Sequence, residues 1–189
     1  MTDHWKAAWQ PLIDALGQDF SGGAQSPSAE EVSAAAIRRY LEPLEFDCAL
    51  HYDAQAARAQ GHDDIIAPTT SIQTFSLPPM WQPGQTLFTS AERNAQPSGG
   101  ALAGTTTPLE PPTTGYLVTD YEVEYLCAVT VGDRLRRHGA RLLSCVPKET
   151  KVGRGAFLTW ESEIHNQHGE VVARMRTTWL RYNPHGDPQ

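Results

Sequence analysis

The chain has 189 residues, 15 basic against 22 acidic side chains and a net charge of -7. That balance argues against a general nucleic-acid binder, which needs a basic surface to release counterions. The length suits one domain, large enough to build a core without disulfides or a structural metal. No apolar run approaches the roughly 20 residues that span a bilayer. Residues 1–10 carry Asp3, His4 and Lys6 in place of the apolar stretch of a secretory signal. Cys48, Cys127 and Cys145 are odd in number and form no Cys-x-x-Cys pair, which disfavours a zinc site or disulfide framework and points to a reducing cytoplasm.

In chain order, Trp5, Trp9, Leu12, Ile13 and Leu16 recur at helical spacing, and Pro11 predicts that this helix divides into two pieces. Residues 21–27 read as a flexible connector. Ser28 stands three residues before Glu31, a capping-box spacing, and predicts a helix carrying Val32, Ala36, Ile37, Tyr40 and Leu44 on one face, limited by Pro43. Residues 53–60 form a short helix that Asp53 caps and Gly61 stops. Residues 65–68 are extended, and Thr69 or Thr70 caps a further helix through Leu77, ahead of Pro78-Pro79. Residues 83–115 are rich in Pro, Gly, Thr and Ser and read as one long loop. The texture then changes to alternation over 117–126, 135–146, 156–165 and 171–182, with turns at Gly132-Asp133 and Asn166-Gly169. Four strands in hairpin order after helices give an α+β class with an antiparallel sheet. The expected organisation is an N-terminal extension and connector over 1–27, one domain over 28–184 and a tail over 185–189.

One stretch is more informative than the rest. Tyr40-Leu-Glu-Pro-Leu-Glu-Phe-Asp-Cys-Ala-Leu-His51-Tyr-Asp53, followed by Ala57, Gly61 and Ile65-Ile66-Ala67-Pro68, resembles the signature of MaoC-type (R)-specific enoyl-CoA hydratases and dehydratases. There a tyrosine precedes Gly-Asp-x-Asn-Pro-Leu-His-x-Asp. The later Val131-Gly132-Asp133 turn, the 148–155 run and Asn166-Gln167-His168-Gly169 match the N-terminal dehydratase-domain type of that family. The resemblance runs from about Val32 to Pro184. It implies a hot-dog fold, a curved antiparallel sheet around a central helix, here residues 69–77.

The implied reaction adds or removes water across the C2–C3 bond of an enoyl or 3-hydroxyacyl thioester. It needs a base for the water, a proton donor for C2 and donors to the thioester oxygen as enolate charge develops. By the resemblance His51 is the catalytic histidine. The position of its partner aspartate holds Phe46, while Glu45, Cys48 and Ala49 replace the motif's Gly, Asn and Pro. Asp47 and Glu45 flank the altered position and are the candidate carboxylates. Backbone amides at Thr69 and Thr70 are the candidate oxyanion donors. Seven of the basic residues lie between Arg134 and Arg154, and Lys148 and Arg154 are the candidates for the phosphates of coenzyme A. His165 and His168 lack a third ligand, so no metal is expected, and the chemistry calls for no cofactor.

The implied partners are an acyl-CoA or acyl-carrier-protein thioester and a second hot-dog domain, in a homodimer or a heteromer with another MaoC-type subunit. Nucleic acid and membrane are not expected partners. The long loop, with Trp81 as a candidate pocket residue, suits a large acyl group such as a steroid side chain or an aromatic-derived acid. Phe46 raises an alternative, a catalytically silent subunit that shapes an active partner's pocket. A hot-dog thioesterase ranks third, because residues 69–77 hold no carboxylate.

Overall fold

The computed structural model describes residues 4–23, 28–79, 81–92 and 107–185. Pro11 lacks an N–H and fits the first turn of a helix, so the N-terminal pattern divides into α1 (His4–Ala7) and α2 (Gln10–Asp14). Helix α3 (Ala34–Leu41) starts at Ser33, whose Oγ accepts the Ala36 N–H at 3.2 Å. The capping box expected at Ser28 does not form. Ala29 and Val32 donate their N–H groups to the carbonyls of Leu135 and Asp133, both at 2.8 Å, so residues 28–32 run alongside the sheet end. Burial of Ala29 and Val32 there outweighs the local cap. Asp53 does cap α4 (Ala54–Ala59), accepting from Gln55 and Ala56, and Gly61 follows the helix at φ +89°.

The central helix is much shorter than expected. A 3-10 turn, Thr69–Ser71, leads into α5 (Ile72–Phe75), a single turn. Pro78-Pro79 supply no amide donors, and Pro78 disfavours helical backbone at Leu77. Neither threonine caps the turn with its side chain. It is pinned instead by Ser71 Oγ donating to the Pro68 carbonyl at 2.6 Å and by Tyr40 Oη donating to the Thr70 carbonyl at 2.9 Å. Of the long loop, residues 93–106 lie outside the described residues.

Four strands follow: β1 (Gly115–Tyr125), β2 (Arg136–Glu149), β3 (Gly153–His165) and β4 (Val171–Pro184). They form one antiparallel sheet in the order β1-β4-β3-β2. The hairpin order therefore holds for β2, β3 and β4 but not for β1, which pairs with β4. Residues 126–135 make the crossing, and on the way Ala67 N–H donates to Val129 C=O and Val131 N–H to Ile65 C=O.

Residues of equal parity on a strand share a face, so Leu158, Trp160 and Ile164 all line the inner face of β3. Two apolar clusters cover that face. One joins Ile37, Leu41 and Ile72 to Ile164, Val172, Ala173 and Met175. The other joins Trp9 and Leu12 of the N-terminal arm to Leu142, Cys145, Leu158 and Trp160. Between α5 and the sheet, the Gln73 side-chain oxygen accepts from Tyr121 Oη and Arg137 Nη2. The arm also pairs with the β2 edge: Gly17 N–H to Leu142 C=O at 2.7 Å and Phe20 N–H to Ala140 C=O at 2.9 Å. The other edge, β1, exposes Tyr116, Leu117, Val118, Tyr121 and Tyr125.

Candidate active site

The chain between α3 and α4 makes two 3-10 turns, Glu42–Leu44 and Ala49–His51. Pro43 suits the start of the first turn, and Glu45 ends it in the left-handed region, at φ +50°. Glycine meets that conformation without steric cost, and a side chain there is strained. The second turn delivers His51 inward, 9% exposed. Its Nδ1 lies 2.7 Å from the Ile66 carbonyl oxygen. A carbonyl only accepts, so Nδ1 carries the proton and, in the neutral ring, Nε2 is the basic nitrogen. Ile66 is held in turn by donating its N–H to Leu50 C=O and by a bridge to Thr130. The imidazole is thereby tied to the sheet end near Val129 and Val172.

The carboxylate half of the motif is absent from this position. The Phe46 ring packs against the His51 ring, centroids 5.6 Å apart. Glu45 and Asp47 are both exposed, and among the described residues neither bonds the imidazole. Extended from Ile66 through Pro68, the chain then turns at Thr69 and Thr70, both exposed. The first amides of such a turn have no acceptor within it, which suits the oxyanion role, but a one-turn helix contributes little dipole. Beside them Ile66, Thr69, Phe75, Tyr125, Cys127 and Val129 line an apolar cavity of about 50 Å³. A ligand pocket is typically ~300 Å³ or more, so this cavity, as the described residues bound it, is too small for an acyl group.

The two candidate phosphate ligands lie elsewhere. Lys148 and Arg154 flank the β2–β3 hairpin, level with Tyr182, whereas the His51 region is level with Val172. Ten residues of strand separate those levels, roughly 30 Å at about 3.3 Å per residue. Arg154 pairs with Glu149 at 3.2 Å, and Lys148 Nζ sits 5.9 Å from the Phe157 ring centre. Within one chain they are not brought to His51. Trp81 is exposed, with its indole N–H on the Gln85 carbonyl.

A polar centre escaped the sequence reading. Arg181, only 8% exposed, lies over the neighbouring rings of Tyr116 and Trp179, 5.1 and 5.4 Å from their centres, and pairs with Glu110 at 3.6 Å. Burial raises the Glu110 carboxyl above its ordinary range, Arg181 partly offsetting it. Cys145 is pushed up to about 11 by burial and by the charge of Glu110. The alternation of β4 marks position 181 as inward-facing, which is the available signal. No local pattern pairs it with a residue 71 positions away.

A family profile described as the FAS1-like dehydratase domain region matches residues 19–175. The chain belongs to that family. A probable enoyl-CoA hydratase alpha subunit of Thermomonospora curvata is 28% identical over 156 residues, 82% of this chain and 46% of that protein. A UPF0336 protein of Streptomyces griseus is 42% identical over 64 residues, 33% of this chain and 41% of its own length. The chain thus spans about half the length of the curated relatives it matches. Among solved structures, the ChsH1-ChsH2 complex from Mycobacterium tuberculosis aligns at TM-score 0.66 and 22% identity, covering 98% of this chain and 100% of the other. A MaoC-like dehydratase from Rhodospirillum rubrum aligns at 0.56 and 22%, covering 94% and 98%. Family membership and these likenesses agree on a hot-dog fold, with a sheet curved over a central helix that is only one turn long here.

Proposed function

We propose that this chain is a subunit of an acyl-thioester hydratase or dehydratase, working on the C2–C3 bond of an enoyl or 3-hydroxyacyl thioester of coenzyme A or acyl carrier protein. The observation that carries the reading is the hydrogen bond from His51 Nδ1 to Ile66, which leaves Nε2 as the base. In the hydration direction Nε2 takes a proton from water as its oxygen bonds to C3. The π electrons move toward the thioester oxygen, which the amides of Thr69 and Thr70 stabilise. Nε2 then gives that proton to C2, which completes the addition and restores the base. An oxyanion donor of this kind is worth about 3 kcal/mol. Asp47 and Glu45 are the carboxylates at hand, each needing the loop to reorganise.

The small cavity and the exposed β1 edge support assembly with a second hot-dog subunit, a homodimer or a heteromer, that completes the acyl pocket. Lys148 and Arg154 then serve phosphates only across such an assembly. A cytoplasmic location belongs to the same reading. It is supported by three free cysteines and by described helices too short to cross a membrane.

Phe46 favours a second reading, in which the partner supplies the whole catalytic pair and this chain shapes the pocket. The test is loss of conjugated enoyl-thioester absorbance by the full chain, alone and with its partner subunit. Loss that falls with His51→Ala supports catalysis here. Loss only with the partner, indifferent to His51→Ala, supports the silent subunit. Release of free thiol without hydration overturns both.

A further inference from the structure

The segment that departs from the family motif also shapes the surface outside it. Leu44, Phe46 and Tyr52 are each more than two-fifths exposed. Phe46 and Tyr52 line an open groove of about 510 Å³ with Glu42, Glu45, Asp47 and Asp53. The rings are not loose surface groups. Tyr52 Oη donates to the Phe46 carbonyl at 2.8 Å, and the inner face of Phe46 rests on His51. The left-handed Glu45 sits at the bend that presents Phe46.

The charges around this groove share one sign. Glu42 is paired with Arg38, and Asp53 spends one oxygen on the α4 cap. Among the described residues Glu45 and Asp47 have no cationic partner, and no basic residue lines the groove. Aromatic faces with carboxylates around them are the chemistry that recognises a cation, and a guanidinium fits best because it stacks on a ring while its fork meets carboxylates. The same charge repels the phosphates of coenzyme A and an acidic carrier protein.

We propose that this groove is a docking site for an arginine-bearing segment of a partner protein, its guanidinium on Phe46 and Tyr52 and within reach of Glu45 and Asp47. The inference stands apart from the hydration chemistry. An inactive chain that binds such a segment leaves it intact, and an active chain that does not bind overturns it alone.

The test titrates the full chain with the capped peptide Arg-Leu-Arg while following the ring resonances of Phe46 and Tyr52. A control peptide carries citrulline, the neutral isostere, in place of arginine. The expected result is saturable shifts with the arginine peptide, much weaker with citrulline and weakened by salt. Glu45→Gln with Asp47→Asn, and separately Tyr52→Leu, should each weaken binding on the order of tenfold, with unchanged circular dichroism showing that the fold is intact. Absence of saturable shifts, or equal binding of the citrulline peptide, overturns the proposal.

Discussion

The two ends of the inner sheet face solve the same problem with different material. At the His51 end, α3 and the short α5 bury Ile37, Leu41 and Ile72 against Val172, Ala173 and Met175. At the far end α5 contributes nothing to the cluster, and Trp9 and Leu12 cover Leu142, Leu158 and Trp160 instead. Residues 4–18 of that arm precede the segment the family profile matches. A helix stopped by Pro78-Pro79 leaves apolar sheet behind, and an N-terminal arm takes over its cover. His51, Thr69 and Thr70, the residues proposed to carry the chemistry, lie at the first end.

Removing the cover should have the largest effect. Trp9→Ala strips a side chain that is 3% exposed and should cost about 3–5 kcal/mol in urea unfolding, while the His51 ring signals stay in place. Shifted His51 signals would show that the two ends are coupled. Ile72→Ala, at the other end, should cost about 2–5 kcal/mol and move those signals, because α5 packs beside the Ile66–Thr70 segment. The pair together sharpens the division between a covering end and a chemical end.

How far this division was legible in the sequence depends on the range of the interactions involved. Strand alternation, the Pro11 break and the Asp53 cap follow from local rules. The cap forms at Ser33 and not at Ser28 because residues 133–135, a hundred positions away, hold the N–H groups of Ala29 and Val32. The apolar spacing through Leu77 overstates the length of α5, because Pro78 restrains the backbone of its neighbour. At the site, the motif named His51 and exposed the anomaly of Phe46. The Ile66 carbonyl that fixes the ring and the pairing of Glu110 with Arg181 depend on tertiary contact, and only the inward position of Arg181 shows in the strand alternation.

Glu110 offers a test of the covering end through pH. Burial raises its carboxyl above the ordinary 4.5, so the folded chain holds that proton more tightly than the unfolded one. Its contribution favours the fold fully below the ordinary value and is lost as pH rises through the raised one. Glu110→Gln should flatten that part of the stability–pH curve, measured by urea unfolding in small pH steps. An unchanged curve would remove Glu110 from the account. The smallest effect belongs to the shared framework: Ser33→Ala should cost about 1 kcal/mol by loss of the α3 cap, whereas Ser28→Ala should cost much less in the same unfolding assay.

The central claim is that His51 is a base whose companion carboxylate has been replaced by Phe46. The most direct measurement is the hydration rate of an enoyl thioester by Phe46→Asp, beside Phe46→Asp with His51→Ala. The account predicts a rise over the unaltered chain on the order of 10²-fold for the single change, abolished by the second. No rise, or a rise that survives the loss of His51, would contradict it.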